Sequence, residues 1–429
     1  MELKEYLNRG VSPFHVVKEA TEALKEAGFT EVKLGGGEPL EPGKGYYMCP
    51  YPSSFFAFRT DPGKAGMQIA MAHTDWPSFL LKPNPEMPEG VYLRVNTEPY
   101  GGMLKHTWFD RPLGLAGRVL LKNDGDVFSP KEVLFDSEEP WFVIPSLAPH
   151  LDREIETEKI DPQKVMLPLY GIKQADPRCS APAAVMEEKV PTLLEKVAEK
   201  LHVAVSDILS YTLYLYNADP AQEVGIDGEL LLSPRIDNVA SVAALTEAIL
   251  QAKGSRAGIS LIACFDNEEI GSRTKQGADS GLLKDVAEDI YRRLGKADRM
   301  TEEYAQSMML SVDGAHGVHP NYREKSDTTA TVALGGGVVL KSSASQRYVT
   351  DARAAAVVKG LCESCGIRLQ EQANRSGAPG GQTLGPIASS YLPILAADLG
   401  IPMLAMHSAR ELAALSDCTE LERLIRAFL

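Results

Sequence analysis

Across 429 residues the chain carries 44 Lys and Arg against 58 Asp and Glu, a net charge of −14, with 44% hydrophobic and 24% charged residues. That is ordinary globular composition, which excludes a disordered or fibrous chain and leaves room for roughly two to three domains of about 150 residues. The acidic balance argues against nucleic acid or an anionic membrane as the main partner, and six Cys are too few for a disulfide framework.

The first eighteen residues, MELKEYLNRGVSPFHVVK, hold neither the apolar core nor the small-residue cleavage site of a secretory leader. No stretch approaches the roughly 18 apolar residues of a membrane helix, so a cytoplasmic chain is expected. Ser12 is placed as an N-cap with Pro13 at the first helical position. Phe14, Val17, Ala20 and Leu24 then recur on one helical face until Gly28. Met67 to Ala72 is an apolar run of buried-strand length that delivers His73-Thr74-Asp75 at its end. Between Pro83 and Asn217 the character changes to β-rich runs (Val91–Val95, Leu113–Leu121, Val127–Phe135, Trp141–Ile144) separated by Gly, Asn-Asp-Gly and Pro, with one helix expected over Ala184–Leu201.

After Pro234 helices and strands alternate. The pattern predicts helix Asp237–Ala252, strand Ile259–Phe265, helix Leu282–Leu294, strands Met308–Val312 and Thr331–Leu340, and helix Ala352–Cys365. A last strand, Met403–Met406, leads to helix Leu412–Phe428. Such alternation predicts an α/β sheet with helices on both faces. Residues 1–82 and 218–429 then form one α/β domain, interrupted by a β-rich domain over 83–217.

Chemistry-bearing side chains follow the strands. His73 and Asp75 come after one, Asp266, Glu268 and Glu269 after another, Asp313 after a third and His407 after the last. In an open α/β sheet ligands bind beyond the carboxyl ends of the strands, so two imidazoles and several carboxylates gathered there predict a metal site. Such a set without Cys suits zinc, cobalt or manganese. A lone His or Asp at a strand end is ordinarily a turn or cap residue; four coincident sites argue for a ligand set. In His73-x-Asp75, strand alternation puts both side chains on one face, where the carboxylate can accept the proton on the ring's other nitrogen. Glu268 and Glu269 point in different directions, so one can bind metal while the other reaches the attacking water. Asp237 reads either as the N-cap of a helix or as a carboxylate bridging two metals about 3.5–4 Å apart.

The runs AHTDWPSFLLKP, FDRPLGLAGRV, PRIDN, FDNEEIGS, SVDGAHGVHPNY, GGQTLGPI and MHSARE, which follow one another over most of the chain, resemble the aspartyl aminopeptidase family of two-metal aminopeptidases. The resemblance implies a mixed-sheet α/β/α metallopeptidase domain interrupted by a β-rich dimerisation domain, with the dimers assembled into a tetrahedral dodecamer. It implies two divalent ions per subunit, zinc first, with cobalt and manganese compatible. His73 and His407 would be terminal ligands, Asp237 the bridge, and Glu269 and Asp313 the rest of the shells. Glu268 would be the general base and Asp75 the residue that orients His73. His150, in LAPHLDREIE, matches a His that reaches the substrate of a neighbouring subunit.

The implied substrate is a peptide that loses its N-terminal residue. The family's acidic preference needs a cation or donors at the side-chain pocket; Lys341 looks like a family lysine, and His316 and His319 are candidate donors to the substrate or to the metal ligands. This chain departs from the family pattern there. HPNY is followed by REKSDTTA, where the family usually has a His directly after the Lys, and GAPGGQT lacks the Cys that many members have before the Gly. Acidic and broader or neutral preferences both stay open. A related two-metal amidohydrolase, a carboxypeptidase or deacylase, is the rival enzyme and would need a clamp for the substrate carboxylate.

Overall fold

The computed structural model describes residues 2–151, 159–173, 191–252, 256–378 and 380–429. The opening helix, Pro13–Glu26, forms as its sequence dictates. Ser12 accepts the His15 N–H on its side-chain oxygen, Pro13 sits in the first turn, and Phe14, Val17, Ala20 and Leu24 are all buried. Gly28, at φ +82°, then turns the chain out of the helix.

Contacts divide the chain into two units, Met1–Trp76 with Ala221–Leu429, and Pro77–Pro220. The first is built on a nine-stranded mixed sheet. Its order is Thr30–Glu31, Gly45–Tyr51, Ser54–Thr60, Ile259–Phe265, Met67–His73, Met308–Val312, Leu395–Gly400, Val338–Ser342, Leu369–Ala373. The four strands from Ile259–Phe265 to Leu395–Gly400 are mutually parallel, so their carboxyl ends open on one edge.

Alternation divides these strands between two cores. Ala70, Ala72, Ile262 and Cys264 pack with helices Pro13–Glu26, Ser241–Gln251 and Leu415–Phe428. Ile69, Met71, Leu261 and Phe265 pack with helices Leu282–Arg293 and Leu384–Tyr391 on the other face. Each large aliphatic or aromatic side chain buried this way contributes about 1.5–3 kcal/mol. The result is the expected mixed α/β architecture with helices on both faces of the sheet.

Individual elements differ from expectation in instructive ways. The hairpin Gly45–Tyr51/Ser54–Thr60 was hidden by Pro50 and Pro52, and the ladder shifts register between Met48 and Tyr51, where Pro50 sits. The last strand of the large sheet is Leu395–Gly400, earlier than expected. Asp398 interrupts its apolar pattern, and in the fold that buried carboxylate accepts the Val349 N–H and the Thr383 hydroxyl. Val338–Ser342 starts later than Thr331 because the Asp417 carboxylate accepts the N–H groups of Gly335 and Gly337 and holds them in a turn. Glu411–Ala414 is a strand, so the last helix starts at Leu415.

These shifts reveal a second, five-stranded sheet in the order Gln222–Val224, Leu230–Ser233, Glu411–Ala414, Pro402–Leu404, Ala315–His316. Two strands of the large sheet run directly into it. Met308–Val312 continues through Asp313 to Ala315–His316, and Leu395–Gly400 continues to Pro402–Leu404.

The unit Pro77–Pro220 holds a six-stranded antiparallel sheet, in the order Lys131–Asp136, Leu113–Leu121, Ile208–Asn217, Ser78–Glu86, Tyr92–Tyr100, Leu169–Ile172. Its edge-to-face pairs Phe79–Trp108 and Tyr100–Tyr214 help to fill its core. Strand Ser78–Glu86 belongs to this sheet although Pro83 and Pro85 lie within it. Trp141–Ile144 makes isolated bridges to Leu113 and Leu169 instead of a strand. The expected helix Ala184–Leu201 is observed as Leu193–Leu201 behind a Thr192/Glu195 capping box; residues 184–190 lie outside the described residues.

Candidate metal centre

The two sheets of the first unit deliver side chains to one point. From the large sheet come His73, which ends its strand, the turn after Phe265 with Glu268 and Glu269, and Asp313. Phe265 and His73 are register partners, which sets the strand-end groups side by side. From the five-stranded sheet come Asp237, just beyond Ser233, and His407, just beyond Leu404. Asp313 lies where the chain passes from one sheet to the other. A Cβ on Gly400 would fall 1.6 Å from its carbonyl oxygen, so only glycine allows that approach.

His73 Nε2 lies 3.5 Å from Asp237 Oδ1 and 3.5 Å from Asp313 Oδ1. His407 Nε2 lies 3.5 Å from Asp237 Oδ2 and 3.3 Å from Glu269 Oε1. Two triads therefore share Asp237, with one of its carboxylate oxygens facing each. His73 groups with Glu268 and Glu269 as well, which adds Glu268 to the cluster. Asp237 is no helix N-cap. It sits in an irregular turn, Ile236–Ala240, ahead of helix Ser241–Gln251, and the Asp237–Asn238 peptide is cis.

These residues fit a metal ion. Ligand atoms held at about 2.0–2.1 Å around a tetrahedral ion stand about 3.3 Å from one another, close to the separations here. Asp237 Oδ1 and Glu269 Oε1 are buried and have no hydrogen-bond partner among the described residues. Burying a carboxylate oxygen in that state is costly unless a cation takes it. His and carboxylate donors of this kind suit zinc.

The electrostatics carry the same signature. Burial alone would lower the His73 pKa, yet the carboxylates of Asp237, Asp313 and Asp75 hold it well above its ordinary value. Burial works in the opposite sense on Asp237, and His407 and His73 outweigh it and hold that carboxyl well below the usual range. Glu268 is pushed up to about 8, first by burial, with His73 opposing and Asp313 adding to the shift. A divalent cation among these groups would act against that rise.

The Glu268–Glu269 turn is pinned from below. Both oxygens of Asp75 accept backbone N–H groups, from Glu268 and from Glu269, at 3.1 Å each. His73 Nδ1 meets the Asp75 carbonyl oxygen at 3.0 Å, closer than the Asp75 carboxylate at 3.4 Å. Asp75 thus orients the imidazole chiefly through its backbone, and its carboxylate shapes the turn that carries the two glutamates. Asp266, also singled out from the sequence, is buried beneath that turn and accepts the Asn267 N–H.

The remaining sequence-predicted residues lie elsewhere. Lys341 is 2% exposed, its Nζ 3.7 Å from Asp313 Oδ2 and 5.4 Å from the Tyr348 ring centroid. It holds Asp313 from behind. Burial disfavours its charge, but Asp313, Tyr348, Asp398 and Asp237 together outweigh burial and raise its pKa. His316 and His319 stand outside the triads and line a cavity of about 290 Å³ together with Lys325, Asp327 and Arg375. The His316 imidazole is within electrostatic reach of Asp237, Asp313 and His407, so that cavity adjoins the cluster. A cleft of about 580 Å³ opens beside Glu268 and Glu269, bordered by Arg273 and Gln382. His150 is on an exposed turn of the Pro77–Pro220 unit. One residue of the centre was not singled out from the sequence: Glu411, whose buried carboxylate accepts the N–H groups of Asp237 and His407.

Residues 6–429 match the family described as aminopeptidase I zinc metalloprotease (M18). The chain belongs to the M18 family of zinc aminopeptidases. A probable M18 family aminopeptidase 2 from Clostridium novyi is 39% identical over 422 residues, covering 97% of this chain and 95% of that protein. Its counterpart in Pseudomonas aeruginosa strain UCBPP-PA14 is 35% identical over 430 residues, 99% of this chain and 96% of that one.

Solved structures agree. A chain of the Ape4 and Nbr1 complex superposes with a TM-score of 0.91 at 30% identity, over 99% of this chain and 84% of its own. The M18 aminopeptidase of Thermotoga maritima gives 0.83 at 26% identity, over 99% and 94%. The mApe1 of Saccharomyces cerevisiae, solved as a dodecamer, gives 0.81 at 24% identity, over 99% and 95%. This M18 chain is accordingly a zinc metallopeptidase that hydrolyses peptide bonds.

Proposed function

We propose that this M18 aminopeptidase holds two zinc ions per chain, uses Glu268 as its general base and prefers acidic N-terminal residues. The observation that carries the two-ion reading is the sharing of Asp237, one oxygen to the His73/Asp313 side and the other to the Glu269/His407 side. Zinc at these triads supplies Lewis acidity, which lowers the pKa of a water toward neutrality and polarises the scissile carbonyl.

The chain's own residues do the rest. Glu268, beside the triads and bordering the larger cleft, accepts the proton of the attacking water and delivers it to the departing amine. Asp75 keeps that glutamate aimed by holding its backbone N–H. The crowd of carboxylates favours a substrate with a free, cationic amino terminus, which restricts cleavage to the first residue.

The acidic preference is supported by the cavity beyond His316. Lys325, Arg375 and two imidazoles line it, and neither Lys325 nor Arg375 forms a salt bridge among the described residues. One carboxylate, Asp327, is among the described lining residues, and its Oδ1 accepts the N–H groups of Thr329 and Ala330. A broader preference is the second reading, favoured by one observation: Ser326 and Gly380, where the chain departs from the family pattern, border this same cavity and are small.

The assembly is proposed to be a homo-oligomer, dimers made through the inserted β-rich unit building a tetrahedral dodecamer, with His150 reaching a neighbouring copy's substrate. Light scattering tests it, with a mass of twelve chains expected. A cytoplasmic home accords with free thiols at Cys49, Cys264, Cys362, Cys365 and Cys418. The function is tested by turnover of Asp, Glu, Leu, Ala and Lys p-nitroanilides on metal-stripped protein refilled with zinc, cobalt or manganese. Cleavage led by Asp and Glu is expected. Lead by Leu or Ala would establish the broader reading, and hydrolysis of N-blocked substrates alone would move the enzyme to the amidohydrolases.

A further inference from the structure

Asp237 and His407 reach the centre on loops that leave two different strands of the five-stranded sheet. Those strands, Leu230–Ser233 and Pro402–Leu404, both pair with Glu411–Ala414, which runs between them. Glu411 opens that middle strand, directly across from Ser233. Its side chain is 2% exposed, and its oxygens accept the Asp237 N–H at 2.9 Å and the His407 N–H at 2.7 Å.

The loops have reason to need such an anchor. Arg235 (φ 64°), Ala405 (φ 55°) and His407 (φ 66°) all lie in the left-handed region that favours glycine, so neither path is held by local preference. A backbone N–H left without an acceptor in the interior is costly, and each of these hydrogen bonds removes that cost. Two of them from a single carboxylate link peptide units that are far apart in sequence.

We propose that Glu411 is a positioning residue. By tying the Asp237 and His407 backbones together it sets the spacing of the Asp237/Glu269/His407 triad before zinc arrives. This rests on reading that triad as a zinc site. Glu411 itself touches no reacting atom; it acts through the two residues it holds.

The test compares Glu411→Gln, Glu411→Asp and His407→Ala, each stripped of metal and titrated with zinc against a chromophoric chelator. Melting of the metal-free proteins is recorded in parallel. In Glu411→Gln one oxygen becomes an NH2 that faces a backbone N–H, so one of the two bonds is lost. Zinc affinity at the weaker-binding site is expected to fall about 10–100-fold, the usual consequence of losing a group that orients metal ligands, while metal-free melting stays near the parent's. Glu411→Asp keeps both acceptor oxygens on a shorter arm and should recover part of the affinity. If Glu411→Gln does not fold, a fall in zinc affinity in folded Glu411→Asp supports the positioning role in its place.

Unchanged zinc affinity in the Glu411 variants, with only the metal-free melting lowered, overturns the positioning role. The His407→Ala protein separates the two levels. If it loses zinc while the Glu411 variants keep theirs, the triad stands and Glu411 is structural. If it too binds zinc as the parent does, the triad reading has failed and takes the proposal with it.

Discussion

His73, Glu268, Glu269 and Asp313 stand at the ends of parallel strands, whereas Asp237 and His407 hang on loops of a much smaller sheet. In the first group His73 and Asp313 are placed by hydrogen-bonded register, which fixes neighbouring strand ends about 4.8 Å apart whatever the side chains are. The Glu268–Glu269 turn just beyond Phe265 is held by the Asp75 carboxylate. The second group has no such ladder. Its backbone passes through left-handed conformations and is caught by the carboxylate of Glu411. The two groups can meet because Asp313 lies at the passage between the sheets. A rigid half and a braced half thus meet at Asp237, the residue common to both triads, which belongs to the braced half.

That contrast can be broken at several points. The largest effect is expected at the strand-end turn: Glu268→Gln should lower kcat by about 10²–10⁴-fold while zinc content stays at the parent level, because Glu268 is absent from both triads built on Asp237. Loss of zinc along with activity would make Glu268 a ligand and not a base. Next comes the support behind Asp313. Lys341→Met leaves that carboxylate without the buried ammonium 3.7 Å away, and removing one partner of a buried pair costs about 3 kcal/mol or more. Chemical denaturation of the metal-free protein should show the loss, and saturating zinc should restore part of it. A Lys341→Met protein as stable as the parent would mean that Asp313 needs no such support.

A smaller effect is expected in the cavity beyond His316. Arg375→Ala should reduce kcat/KM for Glu p-nitroanilide about tenfold, near 1.4 kcal/mol, and leave Ala p-nitroanilide close to the parent; equal losses on both would remove Arg375 from specificity. The smallest effect is a proton count. The carboxylates around His73 hold its pKa well above the ordinary value despite burial, so the metal-free imidazole is expected to carry its second proton more readily than a free one. Zinc takes the neutral ring, so binding is expected to release that proton and affinity to rise as pH increases through neutrality. Calorimetry in buffers of differing ionisation enthalpy measures the release. None at pH 7 would mean a neutral His73 beforehand.

The rigid half was legible in the sequence and the braced half less so, for a physical reason. An apolar run that ends in His or Asp is a local pattern, and MQIAMA before His73 or MMLSV before Asp313 can be read by eye. Asp237 offered two readings, cap or bridge, since nothing local says that the chain makes an irregular turn before its helix. Glu411, just ahead of the expected helix Leu412–Phe428, drew no notice, because hydrogen bonds to residues as distant as Asp237 leave no periodicity behind. Asp398 hid a strand in the same way: a buried carboxylate satisfied by Val349 and Thr383 resembles a loop residue until its partners are seen. Lys325 and Arg375 carry no local signature, and only the folding of two separate segments around His316 makes them one surface. The motifs of the family carried what periodicity could not.

The sharing of Asp237 is tested most directly by counting zinc. Metal-free protein and its Asp237→Ala variant would be titrated with zinc, and the bound metal measured by mass spectrometry after gel filtration. Two triads joined by one carboxylate predict two zinc ions per parent chain, and weakened binding of both when that carboxylate is gone. A parent that saturates at one, or an Asp237→Ala protein that still holds two with the parent's affinity, would contradict the shared centre.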